Sequence, residues 1–242
     1  MTANRSSAVM AQRHEAPDSL DDFPTPPWAT RSLLRVLRTH GEVLSDQYAW
    51  EPACNRGYMA KVLAEEFAGV HATDVHEYGW DGQDGVADFL IDWGQDVPKV
   101  DWVITNPPFR LGAEFIRQGL RYARRGVAVL VRTSFVEGVE RYDTLFQASP
   151  EAFVLPFVER VAMWKGVLLD PDVKVWDAER GTMKSPTSAT SYAWLVWRRG
   201  EDGQFTSDTR FGRIPPWRRL LTRPGDYPPV PAHLRRPEGA LL

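Results

Sequence analysis

Val100-Asp101-Trp102-Val103-Ile104-Thr105 runs directly into Asn106-Pro107-Pro108-Phe109. The first six residues read as a buried strand, and the next four as a rigid corner at its carboxyl end. Two successive prolines fix φ and remove two backbone donors, so their carbonyls are not expected to be drawn into a helix ladder. What remains is an amide, a free carbonyl and a flat ring, a set of groups suited to gripping an exocyclic amino group on a planar base. A plain Pro-rich turn after a strand has the same backbone. The Asn before the proline pair and the Phe after it favour a site over that turn.

Working outward, further strands are predicted at 47–53, 70–75, 86–91, 127–132, 152–158 and 191–198. The continuous apolar run Val127-Ala128-Val129-Leu130-Val131 implies cover on both faces of its sheet. Phe23-Pro24-Thr25-Pro26-Pro27-Trp28-Ala29-Thr30 reads as a stiff extended segment leading into an amphipathic helix that carries Leu33, Leu34 and Leu37. Other helices are expected at 55–67, 111–124 and 137–147. Strands alternating with helices from 47 to 158 predict an α/β fold built on a mostly parallel sheet. Residues 1–22 are polar and without periodicity, which predicts a disordered tail. The main domain spans 23–200, with an irregular stretch at 161–190 as a candidate target-recognition insertion. Residues 201–242 form a Pro- and Arg-rich extension that cannot build a core by itself.

Composition narrows the function classes. A formal charge of −3 argues against a polybasic protein, yet only five of the 29 basic residues are lysine. Arginine clusters in 117–141 and 198–236 are compatible with nucleic acid or with a solvated, ion-paired surface. The single cysteine, Cys54, excludes an internal disulfide and a cysteine zinc cage. The five histidines lack metal-ligand spacing, so no metal is expected. No stretch approaches the ~20 apolar residues of a membrane span, and no hydrophobic signal core precedes the domain. These features predict a soluble cytoplasmic protein.

Ligands of parallel sheets collect at the carboxyl ends of strands. Three features fall there: Glu51-Pro52-Ala53, Asp74 and the 106–109 corner. Glu51-Pro52-Ala53-Cys54-Asn55-Arg56-Gly57 is a strand-to-helix turn whose one glycine makes it a weak dinucleotide motif. Asp74 closes the next strand about 20 residues on, where an acidic side chain can accept hydrogen bonds from ribose hydroxyls. Asp88-Phe89 follows the next short strand and suits an amino group and the edge of an adenine ring; an Asp turn beside a core Phe is the competing reading.

Glu51-Pro52-Ala53 and Thr105-Asn106-Pro107-Pro108-Phe109 resemble motifs I and IV of S-adenosylmethionine-dependent amino methyltransferases. With the 23–30 segment, Arg132-Thr133-Ser134-Phe135-Val136-Glu137-Gly138 and Ser191-Tyr192-Ala193-Trp194-Leu195-Val196-Trp197, the chain more narrowly resembles the small N6-adenine DNA methyltransferases of phages and prophages. The resemblance covers about residues 23–198 and implies a seven-stranded Rossmann-like sheet with its last strand antiparallel. It implies S-adenosyl-L-methionine as cofactor, contacted by Thr25, Pro26, Trp28, Glu51, Pro52, Ala53, Asn55 and Gly57. Asp74 would take the ribose, and Asp88 with Phe89 the adenine. Motif I of that family usually carries more glycine than Cys54-Asn55-Arg56 provides.

The resemblance assigns catalysis to Asn106, Pro107, Pro108 and Phe109. Acceptors at the Asn106 side chain and the Pro107 carbonyl would draw an amino nitrogen towards tetrahedral geometry, freeing its lone pair. Phe109 would stack on an adenine flipped out of duplex DNA. Lys165, Lys174, Arg180 and Lys184, in 161–190, are candidate groove contacts, and the arginines after 198 candidate phosphate contacts. An RNA amino methyltransferase, a cytosine-N4 DNA enzyme, a glutamine methyltransferase of release factors and a degenerate binding protein remain alternatives.

Overall fold

The computed structural model describes residues 21–94, 96–200, 202–206 and 208–237. The tail expected at 1–22 therefore lies outside the described residues except for Asp21 and Asp22. The main sheet contains β1 (Tyr48–Glu51), β2 (Gly69–Asp74), β3 (Gly85–Val86), β4 (Trp102–Thr105), β5 (Gly126–Arg132) and β6 (Phe153–Pro156). A small separate hairpin, β7 (Val175–Asp177) with β8 (Thr182–Lys184), precedes β9 (Tyr192–Arg198) and β10 (Arg210–Phe211), which return to the sheet. The strand order is β10-β6-β9-β5-β4-β1-β2-β3. All pairings in it are parallel except those of β9, which runs antiparallel between β5 and β6.

Alternation along the strands explains the two-sided core. Trp102, Ile104, Ala128, Leu130, Trp194 and Val196 face one side, where helix α1 (Pro27–Thr39) contributes Leu33, Leu34 and Leu37. Val103, Val127, Val129, Val131, Leu195 and Trp197 face the other, where helix α3 (Gly112–Tyr122) contributes Phe115 and Ile116. Successive side chains of a strand point to opposite faces, so unbroken apolar runs are required when both faces are covered. Gly126 opens β5 because a Cβ there would lie 2.4 Å from the Trp197 carbonyl oxygen and 2.6 Å from the Trp102 ring. Only a residue without a side chain lets these two tryptophan-bearing strands flank it.

Helix α1 begins at Pro27, earlier than the stiff-segment reading predicts. Proline at the first helical position lacks only a donor that would be unpaired anyway, so the extended path ends at Pro26. Helix α2 (Tyr58–Leu63) starts later than expected, because Asn55 (φ 50) and Gly57 (φ 73) both adopt left-handed backbone. The 137–147 segment is a short α-turn at Val139–Arg141 followed by a π-turn at Tyr142–Phe146.

The Pro- and Arg-rich extension is docked on the domain. β10 adds an eighth strand beside β6, Ile214 is buried, and Trp217, Leu221 and Tyr227 pack on the α1 face. Arg31 anchors it: its guanidinium meets Glu65 at 2.6 Å and Asp226 at 2.6 Å and donates to the Leu221 carbonyl. Arg218 pairs with Glu159 and Asp172, and Arg223 with Glu65. These arginines thus face carboxylates, which weakens the expectation that they track phosphates.

Candidate active site

The sheet order reverses between β1 and β4, and a cleft opens at their carboxyl ends, where parallel sheets gather ligands. Its volume is about 760 Å³, counting the open solvent at its mouth. Glu51, Asp74, Asp88 and Asn106 all line it, so the three predicted strand ends converge. Thr25, Pro52, Ala53, Asn55 and Pro108 line it as well.

The other predicted residues sit behind or beside this cleft. Trp28 is 1% exposed and packs edge-on against Phe157 within the core. Phe89 is fully buried, edge-on to Trp50 at 4.9 Å, so the Asp88-Phe89 pair divides between cleft and core. Pro26 is buried at the start of α1, and its carbonyl accepts the Ala29 N–H. Gly57 lies beneath the Trp80 ring, which a Cβ would meet at 2.3 Å. Pro107 and Phe109 face a second cleft on the other side of the corner.

The glycine-poor turn after β1 has a physical solution. Asn55 takes the left-handed conformation that glycine would otherwise supply, and Asn is among the residues that tolerate it. Its N–H is held by Asp74 at 2.9 Å, and its side-chain amide donates to Asp22 at 2.8 Å. Asp22 also accepts both terminal nitrogens of Arg56, at 2.8 and 3.0 Å. Burial alone would raise the Asp22 carboxyl, but the Arg56 and Asn55 hydrogen bonds and the Arg56 charge hold it below its ordinary 3.8.

The segment Asp21-Asp22-Phe23 spans both walls of the site. While Asp22 grips the β1 turn, the Phe23 carbonyl accepts the Asn106 amide nitrogen at 3.0 Å. Asp21 accepts the Phe109 N–H at 2.7 Å. A carbonyl can only accept, so the Phe23 contact fixes which end of the Asn106 amide is which. The opposite end, Oδ1, is buried without a hydrogen-bond partner. The Pro108 carbonyl accepts the Leu111 N–H, whereas the Pro107 carbonyl accepts no hydrogen bond among the described residues. Two acceptors are therefore left at consecutive positions of one rigid corner.

Charge in the cleft is one-sided. Asp21, Glu51, Asp74 and Asp88 line it, and no lysine or arginine does. Glu51 is 2% exposed, and burial, reinforced by the Asp74 charge, pushes its carboxyl well above 4.5 despite a hydrogen bond from the Ala60 N–H. Burial likewise raises Asp74, against the N–H groups of Asn55, His76 and Val75. Cys54 is pushed up by burial and then by the Glu51 and Asp74 charges, which leaves it a neutral thiol. Tyr78, in the polar loop after β2, also lines the cleft, and burial followed by the nearby Asp74 charge pushes it up to about 12.

The sheet order, the single antiparallel strand and the cleft at the reversal point decide the architecture. The fold is that of the class I S-adenosylmethionine-dependent methyltransferases. Similar solved structures include a protein assigned as such a methyltransferase from Listeria monocytogenes, at 13% identity and TM-score 0.54, covering 85% of this chain and 69% of that one. A protein assigned as an RNA methyltransferase from Pyrococcus horikoshii matches at 12% identity and TM-score 0.50, covering 79% and 94%. The methyltransferase subunit of a type I restriction-modification system from Streptococcus thermophilus matches at 10% identity and TM-score 0.56, covering 81% of this chain and 48% of that one. No protein-family model matches the chain, and no curated protein does. Likeness at this level carries the methyltransferase fold.

Asp21, Asp22, Tyr78 and Tyr58, the first residue of α2 and also part of the cleft lining, were not legible as site residues in the sequence. The signal available for the acidic pair was its position, immediately before Phe23-Pro24. Among the described residues, no group of three or more His, Cys, Asp or Glu could hold a metal, and no helix is long and apolar enough to cross a membrane.

Proposed function

We propose that this protein is an S-adenosylmethionine-dependent methyltransferase that modifies the exocyclic N6 amino group of adenine in DNA. The observation that carries the reading is Asn106: its amide nitrogen is held by the Phe23 carbonyl, and its Oδ1 is left as a buried, unpaired acceptor at the cleft. A buried polar atom without a partner costs about 1–3 kcal/mol, so it is expected where a ligand supplies the missing donor.

The residues present fit the cofactor. A cleft with four carboxylates and no cation disfavours a dinucleotide or other phosphate ligand and favours one that carries positive charge. When bound, S-adenosylmethionine supplies a sulfonium methyl group as the electrophile. Glu51, Asp74 and Asp88 would hold it, with Asp74 the acceptor for ribose hydroxyls and the acidic lining complementing the sulfonium and ammonium charges.

The chain's own part in transfer is to prepare the amino nitrogen. Asn106 Oδ1 and the Pro107 carbonyl each accept one of its N–H groups, which draws the nitrogen out of conjugation with the base. The partial positive charge that develops there meets acceptors already in place, the reverse polarity of an oxyanion hole. Holding the two reactants in line supplies much of the remaining acceleration. The choice of adenine, and of DNA over RNA, rests on the motif resemblance of the flanking stretches 23–30, 132–138 and 191–197.

The test is transfer of labelled methyl from S-adenosylmethionine to duplex DNA, ribosomal RNA or a release factor, followed by digestion to nucleosides or peptides. N6-methyladenine from the DNA is the expected product. N4-methylcytosine, or label confined to RNA or to a glutamine, would overturn the choice of acceptor.

A further inference from the structure

The second cleft, on the far side of the 106–109 corner, has a volume of about 530 Å³ including its mouth. Pro107, Phe109, Arg132, Ser134, Phe135 and Arg141 line it, and no carboxylate does. The Arg132 guanidinium lies over the Phe109 ring, 4.0 Å from its centroid, and its Nε is buried with no hydrogen-bond partner. Arg141 is fixed by donating to the Phe135 and Glu137 carbonyls, with its guanidinium 5.0 Å from the Phe135 centroid. Neither arginine has a carboxylate partner among the described residues, in contrast to Arg31, Arg56 and Arg218.

The Phe109 ring, expected to stack on a base, carries the Arg132 guanidinium over one face, with the Phe23 ring 5.3 Å and the Tyr192 ring 6.3 Å away. A guanidinium held over a ring by a cation–π contact keeps N–H donors for another partner, and its planar fork is the geometry that pairs bidentately with a phosphate. Arginines held by aromatic faces and main-chain carbonyls retain full charge and lose little further freedom on binding an anion.

We infer that the second cleft is a phosphodiester subsite, in which Arg132 and Arg141 grip the strand next to the nucleotide whose amino group meets Asn106. The inference rests on the nucleic-acid reading of the corner and deepens it. The acceptor is a nucleotide within a strand; a free base, a nucleoside or a protein amide offers this cleft no anion.

The test is fluorescence-anisotropy binding of a fluorescein-labelled 12-mer deoxyoligonucleotide across a salt series, for the wild type, Arg132→Ala, Arg141→Ala and Arg141→Lys. Calorimetric binding of S-adenosylmethionine serves as the check on folding. Each Ala variant is expected to lose roughly tenfold in oligonucleotide affinity and to lower the slope of log K against log salt by about one. Arg141→Lys should keep the slope and lose part of the affinity, and cofactor affinity should not change. Wild-type binding with unaltered affinity and slope in both Ala variants would overturn the subsite and leave the methyltransferase reading standing. A wild type that binds no oligonucleotide and methylates a glutamine peptide instead would overturn both.

Discussion

Two clefts meet at the Asn106–Phe109 corner, and they carry opposite charge. The one at the ends of β1 and β4 is lined by Asp21, Glu51, Asp74 and Asp88. The one across the corner is lined by Arg132 and Arg141 and by no acid. Unit charges 4 Å apart near a protein surface interact by about 4 kcal/mol, so the sign of a lining discriminates strongly between ligands. A reactant that carries a cation is steered to one side and a strand that carries anions to the other. The neutral amide and carbonyl of the corner lie at the boundary, where an amino group would meet an electrophile. The difference teaches that the corner proposed to grip an amino nitrogen also divides two electrostatic compartments.

The strongest way to break that division is at the boundary itself. Asn106→Ala should lower single-turnover methyl transfer by roughly 10²–10³-fold, the cost typical of removing one preorganised hydrogen-bonding group, with cofactor affinity unchanged. Transfer at the wild-type rate would remove the corner from the chemistry. Next in size, Asp74→Ala should weaken S-adenosylmethionine binding by roughly tenfold in calorimetry, since it loses a charged acceptor. It should leave oligonucleotide affinity alone, and an equal loss of both would mean that the compartments are not separate.

Asp22→Ala tests the connection between the walls. Its ion pair with Arg56 is part-exposed, so the expected loss in urea unfolding is only about 1 kcal/mol. The folded carboxyl is depressed, so this contribution is present above its unfolded value of 3.8 and disappears as pH falls through the lower folded value. Wild type and variant should therefore converge in acid, and a gap that persisted there would assign the effect to packing. The last test turns on sign. Glu51 has a raised folded pKa, so the wild type loses stability as pH rises above 4.5, and Glu51→Gln should become progressively the more stable protein. Destabilisation by that variant at neutral pH would show that the Glu51 charge is compensated by partners outside the acidic cleft.

Much of the architecture was legible because strand burial writes itself into the sequence. The runs 102–104, 127–131 and 192–197 are apolar on consecutive residues and lie in β4, β5 and β9, covered on both faces. Convergence of Glu51, Asp74 and Asn106 followed from their shared place at strand ends. Helix starts were harder, because Pro27 is as compatible with a first helical turn as with an extended path, and Asn55 hides a glycine-like conformation behind a side chain. The roles of Asp21 and Asp22 were invisible because their partners lie more than 30 residues away. Trp28 and Phe89 show the converse limit: a motif position does not say whether a ring faces a ligand or the core behind it.

The contact that orients the Asn106 amide comes from the main chain of Phe23, so the identity of the side chain there is irrelevant to it. Point mutation at position 23 can loosen the core yet still present the same carbonyl oxygen. The amide's alignment is thus robust to substitution and vulnerable to indels. The spacing between Phe23 and the start of α1 at Pro27, stiffened by Pro24 and Pro26, is what holds that oxygen in place. Inserting or deleting one residue in this interval would move it by up to about 3.3–3.6 Å, more than a hydrogen bond tolerates. Along this stretch length is under tighter physical constraint than composition, the reverse of the usual rule for a segment that precedes a domain's first helix.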